Sequence, residues 1–426
     1  MKRDLSSLQT AALSVSASYG IGFLFGSGEL ALRWGMAGSL YAVATALGML
    51  ALALWAPRLW RARLPVWDLL GTAYGRAAAA GAALLSLLWM CGVLSAQLQG
   101  GMAVLRVAGV GDGLAWALVG LLVVVVTQLQ LATAARVFSA CLLASNAILV
   151  WALWRYDGFT VYFGALSMFA ADLARVPGTQ VLVVLLAVVT LVMTGADYQQ
   201  FVIASRNTRA AARGCVLAAA FLLVCGFLPA SVVVAFVAAD GPLPADAALI
   251  VPHIMSRVAS DHSQWLTGLL LLSLLGAALG SAAAITRAMA GAVVATMPSL
   301  QRLPGTVLVL LVLACGAAVT ARGQAIVATM VSLNIVYIAA VSVALAASLG
   351  GWALSPAAAR ASMLAGGATA LALYAWGWLT GPAASGDLAS LAAGLAAAAA
   401  AAVFTLLRRR ACAAPATVAP VPPPGA

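Results

Sequence analysis

Hydrophobic positions in this chain neither alternate nor keep to one helical face. They run on for about 18 residues or more at a time, the length a helix needs to cross a bilayer core. The pattern predicts about twelve spans, near residues 8–30, 34–56, 76–107, 112–133, 135–155, 178–204, 208–238, 262–297, 304–321, 323–349, 359–381 and 386–408. The fold class expected is therefore an all-α polytopic membrane protein. The apolar pattern behind Met1-Lys2-Arg3 is too long for a cleaved leader, so the first span is expected to stay. The Ala/Pro-rich ACAAPATVAPVPPPGA, residues 411–426, is expected to form a disordered tail.

Composition agrees, with 64% hydrophobic and 8% charged residues among 426. A net charge of +11 would suggest a nucleic-acid partner in a soluble protein, but here the basic residues sort by loop. With the N-terminus inside, Lys2, Arg3, Arg58, Arg61, Arg63, Arg76, Arg136, Arg206, Arg209, Arg213, Arg302, Arg360 and Arg408 to Arg410 share one side. Arg33, Arg106, Arg155, Arg175, Arg257 and Arg322 take the other. The positive-inside rule then puts both termini in the cytoplasm and the chain in the cytoplasmic (inner) membrane, with no nucleic-acid partner. Arg206, Arg209 and Arg213, at i, i+3 and i+7, read as one helix face anchoring the sixth-to-seventh span junction.

The cysteines lie singly, without disulfide or zinc spacing. His253 and His262 fall in a polar segment between spans seven and eight and read as solvated side chains of an external loop. With no HExxH and no clustered acids, neither an enzyme nor a metal cofactor is expected.

Two spans carry polar insertions. The first reads ALSVSASYGIGFLFGSGELALRWG, with Gly20, Gly22, Gly26 and Gly28 close together and Glu29, the chain's single glutamate, directly behind. The sixth runs VLVVLLAVVTLVMTGADYQQFVIA, with Gly195 just before Asp197. Glycine weakens a helix, and an unwound segment in the membrane must have its backbone groups satisfied by protein, water or ligand. Interruptions in spans one and six occupy corresponding places in two five-helix halves, the layout of an inverted-repeat transporter. An intramembrane aspartate marks a cavity or a partner. Glycines alone equally mark close helix packing, and Gln97 and Asn334 equally serve as interhelical hydrogen bonds.

The stretch GADYQQFVIASRNTRAAARGCVLAAAFLLVCGFLPA resembles the sodium:solute symporter family, which has the leucine-transporter fold. ALSVSASYGIGFLFGSGE, LPVWDLLGTAYG, SAQLQGGMAVL and AALGSAAA support it, in this order and at these span positions. The resemblance implies two inverted repeats, helices 1–5 (8–155) and helices 6–10 (178–349), with helices 1 and 6 broken, and two appended C-terminal helices (359–408). It implies a sodium site between the first and eighth helices, with backbone ligands at Ala17, Gly20 and Ala278 and a hydroxyl at Ser281. The second hydroxyl position is Ala282, and Tyr19, Ala140 and Ala284 stand where the family is often polar or acidic. It also implies a substrate cavity lined by Phe23, Leu24, Gln97, Gln99, Asp197, Tyr198, Asn334 and Tyr337.

The function expected is a secondary active transporter, a solute:cation symporter that moves a small organic solute by alternating access. Na+ is the inherited coupling ion. H+ bound at Asp197 or Glu29, uncoupled facilitation, and a transporter-like ligand sensor or accessory membrane subunit stay open as alternatives, as does the oligomeric state. Arg287, six residues after Ser281, is rotated about 240° from it on a helix. It reads either as a side chain snorkelling to the cytoplasmic surface or as a fixed charge in place of a cation.

Overall fold

The structure, a computed structural model, describes residues 3–129, 131–260, 264–321, 326–352, 354–380 and 386–412. Long apolar runs can satisfy their backbone in lipid only by helical hydrogen bonding. Among the described residues the regular structure is accordingly helical, apart from one isolated parallel bridge between Leu5 and Ser205.

The first half opens with a broken span, α1 (Ser7–Ser18) and α2 (Ile21–Trp34), and a 3-10 turn, Gly35–Ser39. It continues through α3 (Leu40–Ala62), the short α4 (Val66–Tyr74), α5 (Arg76–Val107), α6 (Asp112–Thr127) and α7 (Leu131–Arg155). Two short helices, α8 (Phe159–Phe163) and α9 (Ala165–Leu173), lead to a second broken span, α10 (Gly178–Thr194) and α11 (Ala196–Ala204). There follow α12 (Thr208–Gly226), α13 (Leu228–Ala238), α14 (Ile250–Ser260), α15 (Gln264–Thr296), α16 (Gly305–Thr320) and α17 (Ile326–Gly350), and finally α18 (Pro356–Thr380) and α19 (Asp387–Cys412).

Phe23–Ala62, Arg76–Val107, Thr208–Ala238, Gln264–Val294, Met330–Gly350 and Asp387–Arg408 are long and apolar enough to cross a membrane, and shorter apolar helices complete the bundle. The chain is a polytopic membrane protein. α9 meets α10 at 120° and does not extend its span.

Several boundaries differ from those read in the sequence. The second span starts at Leu40 because Gly35–Ser39 folds as a turn, in which the Met36 N–H donates to Asp172 Oδ2 at 2.8 Å. α3 ends where Arg63 adopts a left-handed conformation, φ 64°. The last helix runs through Cys412, so the expected tail loses its first two residues to α19, and residues 413–426 lie outside the described residues.

α5 packs along α15 and α17, α3 along α10 and α12, and α18 along α19. Large apolar side chains such as Leu54, Trp154, Leu364 and Leu379 face outward, whereas Gln97, Asn146, Asp197, Gln199 and Asn334 are buried. Polar groups have been gathered into the middle of the bundle, where other protein groups can meet them.

Candidate functional site

The first break is two residues long. α1 ends as the Tyr19 N–H donates to Val15 O at 2.6 Å, and Gly20 is extended, with φ −78° and ψ 177°. Its carbonyl starts α2 by accepting from Phe23 N at 3.0 Å and Leu24 N at 3.1 Å. Glycine is required at position 20 for space. A Cβ would sit 2.7 Å from Ser281 Oγ and 2.8 and 2.9 Å from Gln97 Nε2 and Oε1. α5 and α15 thus press one polar side chain each against the break. Gln97 Oε1 and Ser281 Oγ are buried and have no hydrogen-bond partner among the described residues. On the other side, Tyr19 Oη lies 2.9 Å from both Asn146 Oδ1 and Cys225 O, either of which can accept its proton.

At the second break, α10 stops at Thr194 and Gly195 is extended. The freed carbonyls are met by side chains: Gln199 Nε2 donates to Met193 O at 2.9 Å, and Tyr337 Oη donates to Thr194 O at 2.8 Å from α17. Asp197 stands in the first turn of α11, with the backbone N–H groups of Asp197 and Tyr198 as its nearest donors. Its Oδ1 is unpartnered among the described residues. A Cβ on Gly195 would lie 2.6 Å from that oxygen, so glycine again makes room. The two breaks adjoin, because Tyr198 faces Ser18 at the end of α1.

Seven of the eight residues expected to line a substrate cavity are internal: Phe23, Leu24, Gln97, Asp197, Tyr198, Asn334 and Tyr337 are each at most 5% exposed. Gln97 joins Gly20 and Ser281, the expected ion residues, so the two expected sites share a wall. Ala278 and Ala282 are buried beside Ser281 on α15, and Ala17 is partly buried. Phe23 belongs to an aromatic cluster, 4.6 Å from the Tyr19 ring and 5.9 Å from the Tyr41 ring, centroid to centroid. Asn334 is fully buried with both amide atoms unpartnered among the described residues. Gln99 lies outside this group, donating to Ser95 Oγ at 3.3 Å.

Tyr41 of α3, which sequence reasoning passed over, is buried within electrostatic range of Asp197. Its only signal was a phenol in the largely apolar run LYAVATALGML. Tyr41 also lines a cavity of about 350 Å³ together with Glu29, Arg33, Trp34 and Asp387. A second cavity, of about 280 Å³, is lined by Glu29, Gln99, Arg106, Asp246 and Thr320.

The readings of the histidines and of Arg206 change, and the structure places Arg287 and Ala140. His253 lies on α14, half-buried against Phe236 at 6.3 Å between rings, because the polar segment folds as a helix on the bundle; His262 lies outside the described residues. Arg206 precedes the Asn207 N-cap of α12, so only Arg209 and Arg213 share a helix, though all three are exposed. Arg287 donates to Thr127 O at 3.1 Å and Leu129 O at 2.9 Å, neutralising the carbonyl end of α6 rather than facing Ser281. Ala140 faces outward from α7, and Ser145 and Asn146 are its buried polar residues among the described side chains. Among the described residues no three metal-ligating side chains cluster.

No protein-family model and no curated protein sequence matches the chain. Solved structures do. A Na+-coupled sialic acid symporter in a substrate-bound, outward-open state superposes with a TM-score of 0.74 at 12% identity, over 98% of this chain and 92% of that one. A nucleobase-cation-symport-1 family transporter, closed with bromovinylhydantoin bound, gives 0.59 at 14% identity over 96% and 94%. An Eremococcus coleocola manganese transporter gives 0.55 at 14% identity over 95% of each chain. Agreement along nearly the whole length, with breaks in the first and sixth spans, shows that this chain has the leucine-transporter fold.

Proposed function

We propose that the chain is a secondary active transporter of the sodium:solute symporter type, a solute:cation symporter that carries a small organic solute by alternating access. Residues 8–155 and 178–349 would form its inverted repeats and 359–408 the appended pair. The observation that carries this reading is the junction of the two helix breaks. Gln97 Oε1, Ser281 Oγ and Asp197 Oδ1 are buried there without partners among the described residues. Structure alone does not favour leaving such groups unmet, since each costs free energy that a bound ligand would return. The solute would lie among Phe23, Leu24, Gln97, Asp197, Tyr198 and Asn334, a largely apolar lining with a few polar groups. The similar solved structures, all transporters by name, support the reading.

Sodium is the coupling ion of the first of these neighbours. The corresponding set here, Ala17, Gly20, Ala278 and Ser281, offers three carbonyls and one hydroxyl. The Gly20 carbonyl already accepts two backbone N–H groups. A hard cation prefers more oxygens than this, with negative charge among them. The sorting of basic residues supports cytoplasmic termini in an inner membrane.

The test is uptake by purified protein in proteoliposomes, using radiolabelled amino acids, nucleobases and hexoses under an imposed sodium gradient, a proton gradient or neither. Accumulation of any probe against its gradient supports the proposal. Saturable binding with no flux under all three conditions would instead support the ligand-sensor alternative.

A further inference from the structure

Asp197 is 4% exposed, and among the described residues it forms no ion pair. The groups around it can be enumerated element by element. Within electrostatic range of it lie Tyr41 on α3, Tyr198 on α11 itself and Tyr337 on α17, while Arg58 and Arg61 of α3 are exposed near that helix's other end. α1 and α10 contribute no titratable side chain. α12 keeps Arg209 and Arg213 at the surface, and its Cys215 and Cys225 are buried thiols. The one ionisable residue of α15, Arg287, is engaged at the end of α6. Phenols and hydroxyls can hydrogen-bond a carboxylate, but they bring no positive charge to balance it.

The first turn of α11 offers the carboxylate backbone N–H donors but no full positive charge, and a charge sealed this deeply is costly unless a cation or a proton joins it. The neighbouring cation set is short of oxygens, with Ala282 in place of a hydroxyl. Tyr41, which lies within electrostatic range of Asp197, also lines the cavity shared with Glu29, and a proton would enter from that side. Resting on the transporter reading above, we propose that Asp197 is the proton-binding residue through which solute movement is coupled to a proton gradient. On loading, an O–H bond forms at the carboxylate and the neutral acid is compatible with the closed, dry state. On opening, water reaches the helix break, the O–H bond breaks and the proton leaves to water. Access and protonation are thereby linked, since each conformation favours one protonation state.

The experiment reads protonation without needing the solute. Infrared difference spectra of the full chain in lipid, recorded between acid and alkaline pH, report the C=O band of a protonated carboxyl group. The expected result is a band that titrates in the parent protein, in Glu29→Gln and, displaced in frequency, in Asp197→Glu, but not in Asp197→Asn. Size-exclusion and thermal-unfolding profiles establish that Asp197→Asn is folded, and Asp197→Glu tests the same point should it not be. In the uptake assay, proton-driven accumulation should fall about tenfold or more in Asp197→Asn. A band unchanged in Asp197→Asn, or uptake driven by sodium and indifferent to pH, overturns the coupling role while leaving the transporter reading intact. A titrating band with no flux of any probe defeats the transporter reading, and the coupling role with it.

Discussion

Gln97 and Gly20 meet so closely that a methyl group on the glycine would sit 2.8 and 2.9 Å from the two atoms of the Gln97 carboxamide head. Gly20→Ala should therefore destabilise the protein by about 1–3 kcal/mol, the usual cost of overpacking a tight interior. Adding Gln97→Ala should return part of that loss, because the two changes share one space. Thermal unfolding of the two single variants and the double variant in detergent measures the coupling; additive losses would mean that Ser281, 2.7 Å away, sets the limit instead.

The carbonyls freed at the second break depend on Gln199 and Tyr337. Gln199→Leu or Tyr337→Phe should each cost about 0.5–2 kcal/mol, since a buried carbonyl is left without its donor. Gln200→Leu is a useful comparison. Gln200 donates to Asp197 O at 2.9 Å, within α11 and not across the break. Its loss should be felt less in the same unfolding assay.

Arg287 holds the end of α6 through two carbonyls. Arg287→Ala should lower thermal stability while leaving the ion dependence of uptake as it was. A variant that becomes newly dependent on sodium would restore the reading in which the guanidinium stands in for a cation.

The chain's short oxygen set predicts that sodium, compared with potassium, stabilises the parent protein little. Ala282→Ser adds one hydroxyl beside Ser281 and should create a sodium-dependent rise in unfolding temperature. No difference between the salts in either protein would indicate that one added hydroxyl does not complete an ion site at the Gly20 break.

The N-terminal segment closes one face of the bundle. Leu5 N donates to Ala204 O at 3.3 Å, Arg206 N donates to Leu5 O at 2.9 Å, and Trp60 Nε1 donates to Ser205 O at 2.7 Å. The Arg3 guanidinium lies 4.0 Å from the Trp60 ring centroid and donates to the Trp60 carbonyl. Trp60→Ala should release this strap. The readout is labelling of Ser205→Cys by a membrane-impermeant maleimide in a background without native cysteines, and the rate should rise several-fold when Trp60 is removed. An unchanged rate would mean that the backbone bridge alone holds the strap.

By itself the sequence determined the membrane class, the approximate course of the spans and both interruptions, because these are local consequences. A run of apolar side chains long enough to cross lipid has to be helical, and Gly20 and Gly195 lie where such a run loses its cohesion. The short helices α4, α8 and α9 were not legible because they are too short to show a span's apolar run, and α14 was not because its proline and polar residues equally suit a loop. Only tertiary structure decided which polar groups meet. Gln97 reaches Gly20 and Ser281, Tyr337 caps Thr194, Tyr41 comes within electrostatic range of Asp197, and Arg287 is carried to α6 across 160 positions of sequence. The physical reason is that spans apolar on every side carry no periodic stripe that sets their rotation. Contact and register follow from the packing of small residues and from the need to pair buried polar groups, and neither exists until the helices come together.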